Sequence, residues 1–108
     1  MKVALIEDHA LIRTGLRLLL ESAEHLVVAE FDRAEEVLDW SSRADPAALP
    51  ELFILDLNLG GMPGLEALPT LRQFGKVLVL SMHEEPEYIA EAFGRGASGY
   101  LPKRSVDR

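Results

Sequence analysis

The chain has 108 residues and a mass of 12.0 kDa, a length suited to one domain with a modest core, and its 48% hydrophobic and 27% charged residues are those of a globular domain rather than a disordered one. It contains no cysteine, which excludes disulfides, zinc–thiolate centres and thiol catalysis, and 11 basic against 18 acidic residues leave a net charge of −7, the wrong sign for a nucleic-acid surface. Its apolar runs are far shorter than the ~20 residues of a membrane span, and the opening MKVALIEDHA turns acidic too soon for a secretory leader, so a cytoplasmic protein with no membrane partner is expected.

Short apolar runs alternate with helical patterns along the chain. Lys2 to Ile6 reads as a buried strand. Ala10 to Glu21 reads as a helix, with Leu11, Ile12, Gly15, Leu16, Leu19 and Leu20 at helical spacing and Arg13, Arg17 and Glu21 outward. Leu26 to Phe31 is a second strand and Ala34 to Ser41 a second helix, followed by a loop from Arg43 to Pro50 with two prolines. Leu52 to Leu55 is a third strand, Leu59 to Gly64 a glycine-rich loop, and Leu65 to Phe74 a helix that Pro69 should kink or shorten. Lys76 to Leu80 is a fourth strand. Pro86 to Gly94 is a helix, with proline at its first position and acids at 84, 85 and 87 to suit the helix dipole. Arg95 to Gly99 is a turn, with Gly96 and Gly99 expected at positive φ. Tyr100 and Leu101 form a short fifth strand, and Pro102 requires it to be at an edge or to end there.

Uniformly apolar strands alternating with helices point to an α/β fold, a doubly wound five-stranded parallel sheet. Only Arg104 to Arg108 follow the last strand, so the closing helix is expected to be absent or truncated, leaving an apolar patch through which the fragment would self-associate.

In open α/β sheets the site lies beyond the carboxyl ends of the strands. Here those ends carry Glu7 and Asp8, Asp56, Ser81, and, near the fifth, Lys103. Any one of them has an ordinary explanation as a helix-start acid, a turn acid, an N-cap or a surface lysine. Their convergence on one edge does not. Clustered carboxylates repel, and a hard divalent cation with oxygen ligands relieves them. Asp8 and Asp56 can ligate directly, and the backbone carbonyl of Asn58 can supply a third ligand. Metal, ammonium and hydroxyl together can hold a tetrahedral anion, which makes the Asp56 carboxylate a nucleophile for phosphoryl transfer.

The segments VALIEDHALIRTGL, FILDLNLGGMPGLEAL and VLVLSMHEEPEYIAEAFGRGASGYLPK resemble the CheY-like receiver domains of two-component response regulators, and most of all those of the NarL/FixJ subfamily, which carry a LuxR-type DNA-binding domain. The resemblance covers about residues 2 to 104 and implies strand order 2-1-3-4-5. It also implies that Asp56 is the phosphoacceptor, that Asp8, Asp56 and the Asn58 carbonyl bind Mg2+ (or Mn2+), and that Glu7 acts through water. Ser81 matches the switch hydroxyl, Lys103 the phosphate-pairing lysine and Tyr100 the switch aromatic. The implied donor is a sensor histidine kinase. DNA would be reached through an effector domain downstream, not by this chain, and no turnover of an external substrate is expected.

The sequence departs from the family pattern at several points. Gly60 stands where proline is usual and Gly61 follows it, so this loop should be floppier, while Pro63 stands where Asn or Asp is common. Met82 replaces a small residue and is expected to shield the phosphate from water. Asn58 and His83 occupy positions that tune phosphate lifetime. Arg104 replaces the proline after the lysine, so no cis peptide is expected there. His9, His25 and His83 have no metal-ligand spacing, Trp40 and Phe31 read as packing residues, and Glu35, Glu36 and Asp39 read as a solvated helix face.

Three other classes compete. A haloacid-dehalogenase-like phosphotransferase needs an acid two residues after its nucleophile, where this chain has Asn58. A flavodoxin-like carrier needs a hydroxyl- and glycine-rich phosphate loop, where this chain has Glu7-Asp8-His9. A phosphorylation-independent pseudo-receiver would not need the Asp8, Asp56, Ser81 and Lys103 set.

Overall fold

The computed structural model describes residues 1–105. In chain order they form β1 (Lys2–Ile6), α1 (Ala10–Ser22), β2 (Leu26–Phe31), α2 (Ala34–Arg43), β3 (Leu52–Asp56), α3 (Gly64–Leu71), β4 (Lys76–Ser81), α4 (Pro86–Gly94) and β5 (Gly99–Pro102). The strands make one parallel sheet in the order β2-β1-β3-β4-β5, as expected. The central strands β1 and β3 are buried on both faces, which is why both read as unbroken apolar runs. β5 is an edge strand and Pro102 is its last residue, the one place where a missing N–H costs no ladder bond. A single 3-10 turn, Pro46–Ala48, interrupts the long loop, with the Asp45 carboxylate accepting the Ala47 N–H at 2.9 Å.

The core has two parts. One is built from Ile6, Phe53, Leu55, Val77 and Val79 of the sheet against Val37 of α2, Leu68 and Leu71 of α3 and Ala92 of α4. Phe31 and Trp40 close its rim with ring centroids 5.4 Å apart, as packing residues. The other is built from Val3, Leu5, Ile54 and Leu80 against Leu16 of α1. Among the described residues α1 is the one helix in that second part, and this corrects the expected apolar face of the helix. Only the stripe Ile12, Leu16 and Leu20 meets the sheet, while Leu11 and Leu19 are 85% and 59% exposed. Leu78 and Leu101 on the same side are only partly covered. The last described element is a 3-10 turn, Lys103–Ser105, and the expected absence of a closing helix falls on residues outside those described.

The α3 helix ends at Leu71, three residues short of the expected Phe74, after Pro69 in its second turn. Pro69 leaves the Leu65 carbonyl without its helical donor. The Arg95 guanidinium, at the end of α4, donates to that carbonyl at 3.2 Å and pairs with Glu91 at 3.1 Å. Of the two turn glycines, Gly96 has φ +113°, as expected, whereas Gly99 is not at positive φ. Gly99 is required for space instead, because a Cβ there would lie 2.9 Å from Leu78 Cδ1.

This packing sets the stability of three substitutions. A Cβ on Gly64 would lie 2.7 Å from both the Asp56 carbonyl oxygen and Leu57 Cα, backbone atoms that cannot give way. Gly64→Ala should therefore cost on the order of 2–4 kcal/mol in urea unfolding. Gly15→Ala, within α1 and with nothing within 4 Å of the new Cβ, should gain about 0.5–1 kcal/mol. Arg95→Ala strands the Leu65 carbonyl and should cost about 1 kcal/mol in the same assay, more than Glu91→Ala.

Candidate functional site

The parallel register brings the expected residues to one edge. Glu7 and Asp8 follow the end of β1, Asp56 ends β3, Ser81 ends β4, and Lys103 follows β5. Glu7, Asp56, Ser81 and Lys103 are buried, while Asp8 is 38% exposed and Asn58 is exposed. Lys103 Nζ donates to Asp56 Oδ2 at 2.8 Å and stands 3.1 Å from Glu7 Oε1. Asp56 Oδ1 accepts the Asn58 N–H at 2.9 Å, an Asx turn that starts the following loop. Glu7 Oε2 accepts the His9 N–H at 3.1 Å. The other oxygen, Oε1, is buried and has the Lys103 ammonium as its ion-pair partner, without a well-aligned hydrogen bond.

Two buried carboxylates thus share one ammonium. Burial, first of all, and then the hydrogen bond and charge of Asp56 push the Glu7 carboxyl up to about 7, against its usual 4.5. Burial alone would lower the Lys103 ammonium, but its hydrogen bonds and charge pairing with Asp56 and Glu7 outweigh this and hold it above its ordinary value. Asp8 lies at the mouth, with His9 Nδ1 3.5 Å from its Oδ1. Ligand atoms of Glu7, Asp8 and His9 all lie within 4.8 Å of one another, so oxygen donors with one imidazole stand together beside the buried acids.

Ser81 and Tyr100 meet at a different point. Ser81 Oγ accepts the His83 N–H at 3.0 Å, and the Tyr100 hydroxyl donates to the His83 carbonyl at 2.8 Å. The His83 ring stacks on Tyr88 with centroids 4.3 Å apart, and its Nδ1 is 3.3 Å from a Glu85 oxygen. No hydrogen bond joins Ser81 or Tyr100 to Asp56 or Lys103 among the described residues. Met82 does not cover the site as expected. It is 67% exposed and stands in solvent. No cis peptide occurs among the described residues, so the bond after Lys103 is trans.

Two contributors went unseen in the sequence. His9 lacks metal-ligand spacing in the sequence, yet it directly follows the acid pair and stands with it in space. Arg13 was placed on the outward face. Its Nη1 in fact donates to the Glu7 carbonyl at 3.0 Å and pairs with Asp32, and its Nε is 3.4 Å from Glu30. Arg17 donates to Glu30 at 2.8 Å. The available signal was the pair of arginines four residues apart, opposite the acids that end β2.

The response regulator receiver domain family matches residues 3–108 of the chain. The chain is 38% identical over 105 residues to the nitrate/nitrite response regulator protein NarL of Escherichia coli strain K12, a match covering 94% of this chain and 47% of NarL. It is 37% identical over 107 residues to the transcriptional regulatory protein UhpA of Salmonella typhimurium, covering 94% and 50% respectively. The chain therefore spans about half the length of these relatives. Among solved structures, a LuxR-family two-component response regulator from Aurantimonas sp. SI85-9A1 superimposes with a TM-score of 0.81 at 33% identity, covering 94% of this chain and 73% of that one. With its sheet order, its acid-and-lysine edge and these relatives, the chain belongs to the response regulator receiver domain family and is a receiver of the NarL and UhpA type.

Proposed function

We propose that this receiver accepts a phosphoryl group on Asp56 from the phosphohistidine of a sensor histidine kinase, or from a small acyl phosphate. The observation that carries this reading is the buried Asp56 carboxylate, oriented by Lys103 on one oxygen and the Asn58 N–H on the other, beside Glu7 and Asp8. An Asp56 oxygen attacks phosphorus, and the bond from phosphorus to the donor's nitrogen or oxygen breaks with its electron pair leaving on the donor. Lys103 is then placed to transfer its hydrogen bond from the carboxylate to a phosphoryl oxygen.

The residues also fit a divalent cation. Glu7 Oε1 is buried and shares its one ammonium neighbour, Lys103, with Asp56, and the neighbouring ligand set is rich in hard oxygens. Mg2+ or Mn2+, held by Asp8, Asp56 and the Asn58 carbonyl with Glu7 acting through water, would supply positive charge to the transferring oxygens. Ser81 would give up the His83 N–H to reach the new phosphoryl group, and Tyr100, held through the carbonyl of the same residue, would respond at the α4 and β5 face. The chain assists its own phosphorylation and dephosphorylation and turns over no external substrate. It acts in the cytoplasm, controls transcription through a DNA-binding effector domain downstream, and self-associates through the half-covered α1 side of the sheet.

Intact mass after incubation with acetyl phosphate and magnesium should rise by one phosphoryl group, and Asp56→Asn should abolish the gain. A folded wild-type chain that gains nothing would mark a pseudo-receiver instead. The raised carboxyl of Glu7 sets a pH dependence. Between the unfolded value of 4.5 and the folded value of about 7, only the folded chain holds that proton. Stability in a chelator should therefore fall as pH rises through this window, by on the order of 2 kcal/mol in denaturant melts. Added magnesium should flatten the slope.

A further inference from the structure

The loop after Asp56 contains Gly60 and Gly61, the latter at φ +76°, between the core-buried Leu59 and Pro63 at the start of α3, and between those anchors the two glycines add no stiffness. Its restraint comes from another element. The Met62 N–H donates to Glu35 Oε1 at 3.1 Å, across 27 residues of sequence. The same carboxylate sits so close to the loop that a Cβ on Gly61 would lie 2.6 Å from Glu35 Oε2. Glu35 is in the first turn of α2, where its own backbone N–H and then that of Met62 hold its carboxyl below the usual range. It is exposed, as a solvated helix face should be, but it is not free. The segment is tied at three places: Asn58 N–H to Asp56 at its start, Met62 N–H to Glu35 in its middle, and Gly64 N–H to the Leu57 carbonyl at 3.3 Å at its end.

We propose that Glu35 is a positioning residue for the cation site: its carboxylate clamps the Gly60–Met62 segment from α2 and thereby holds the Asn58 carbonyl where a divalent cation would need it. This rests on the cation-binding reading above. A carbonyl on a mobile loop is a poor ligand, because ordering it is charged against binding each time. Glycine has more freedom to lose than any other residue, so a loop with two of them gains most from an outside tether. The clamp thus supplies the stiffness that a proline at position 60 would otherwise give.

The test is manganese binding, read from the electron paramagnetic resonance signal of free Mn2+, together with hydrogen exchange at the Met62 amide. Glu35→Ala should weaken Mn2+ binding at least threefold and speed exchange at Met62 about tenfold, with the thermal melt little changed. Glu35→Gln keeps an acceptor at the same reach and should stay within twofold of wild type in both. Glu36→Ala removes the same charge from the same turn and should change neither. Wild-type affinity in Glu35→Ala, or equal losses in the Gln and Ala variants, would overturn the clamp. A wild-type chain that binds no Mn2+, or binds it as well after Asp8→Asn, would sink the cation reading and the clamp with it.

Discussion

Among the described residues Lys103 is the only ammonium against the buried carboxylates Glu7 and Asp56, and the organisation of the edge follows from that imbalance. Removing two acids from water is costly, and one cation cannot compensate both in full. What remains is visible as the raised carboxyl of Glu7, whose ammonium partner is shared with Asp56. The site is therefore held in a state that welcomes either a proton or a metal. Apolar residues in place of a buried ion cluster are often neutral or stabilising, so the cluster itself is weak evidence of a stabilising role.

The surrounding loops are positioned from outside themselves. The Glu7–Asp8 turn is held by the Arg13 guanidinium on the Glu7 carbonyl, the loop after Asp56 by Glu35, and the one after Ser81 by the Tyr100 hydroxyl. At His83, one residue's N–H and carbonyl bind Ser81 and Tyr100, so neither side chain can leave its present partner without disturbing the backbone that holds the other. Arg95 does the same kind of work for α3, serving a carbonyl that Pro69 leaves open. Each loop is fixed in part by a removable contact from another element.

The strands and the charged edge were readable because a parallel sheet needs apolar runs and places its site where they end. Lys2–Ile6 and Leu52–Asp56 carry that signal in full. What escaped depended on distance across the fold. Leu11 and Leu19 have correct helical spacing, but periodicity cannot say how many helices cover a sheet face. Pro69 predicts a shortened helix without naming Arg95 as the donor to the freed carbonyl. Glu35 looks like any first-turn acid until the Gly61 loop is folded against it. Gly99 looks like a turn residue because sequence does not reveal that Leu78 leaves no room for a Cβ there.

The order of residues along the chain has its own consequence. Glu7 follows β1, Asp56 ends β3, and Lys103, 96 residues from Glu7 and 47 from Asp56, follows β5. During synthesis, which proceeds from the amino end, β1 and β3 can pair before any ammonium is available. A nascent chain that stops short of residue 103 carries two apposed acids with nothing between them. Closure of the edge is thus marked by charge as well as by packing: the residue that neutralises the two acids is also the one that follows β5, the last strand of the sheet.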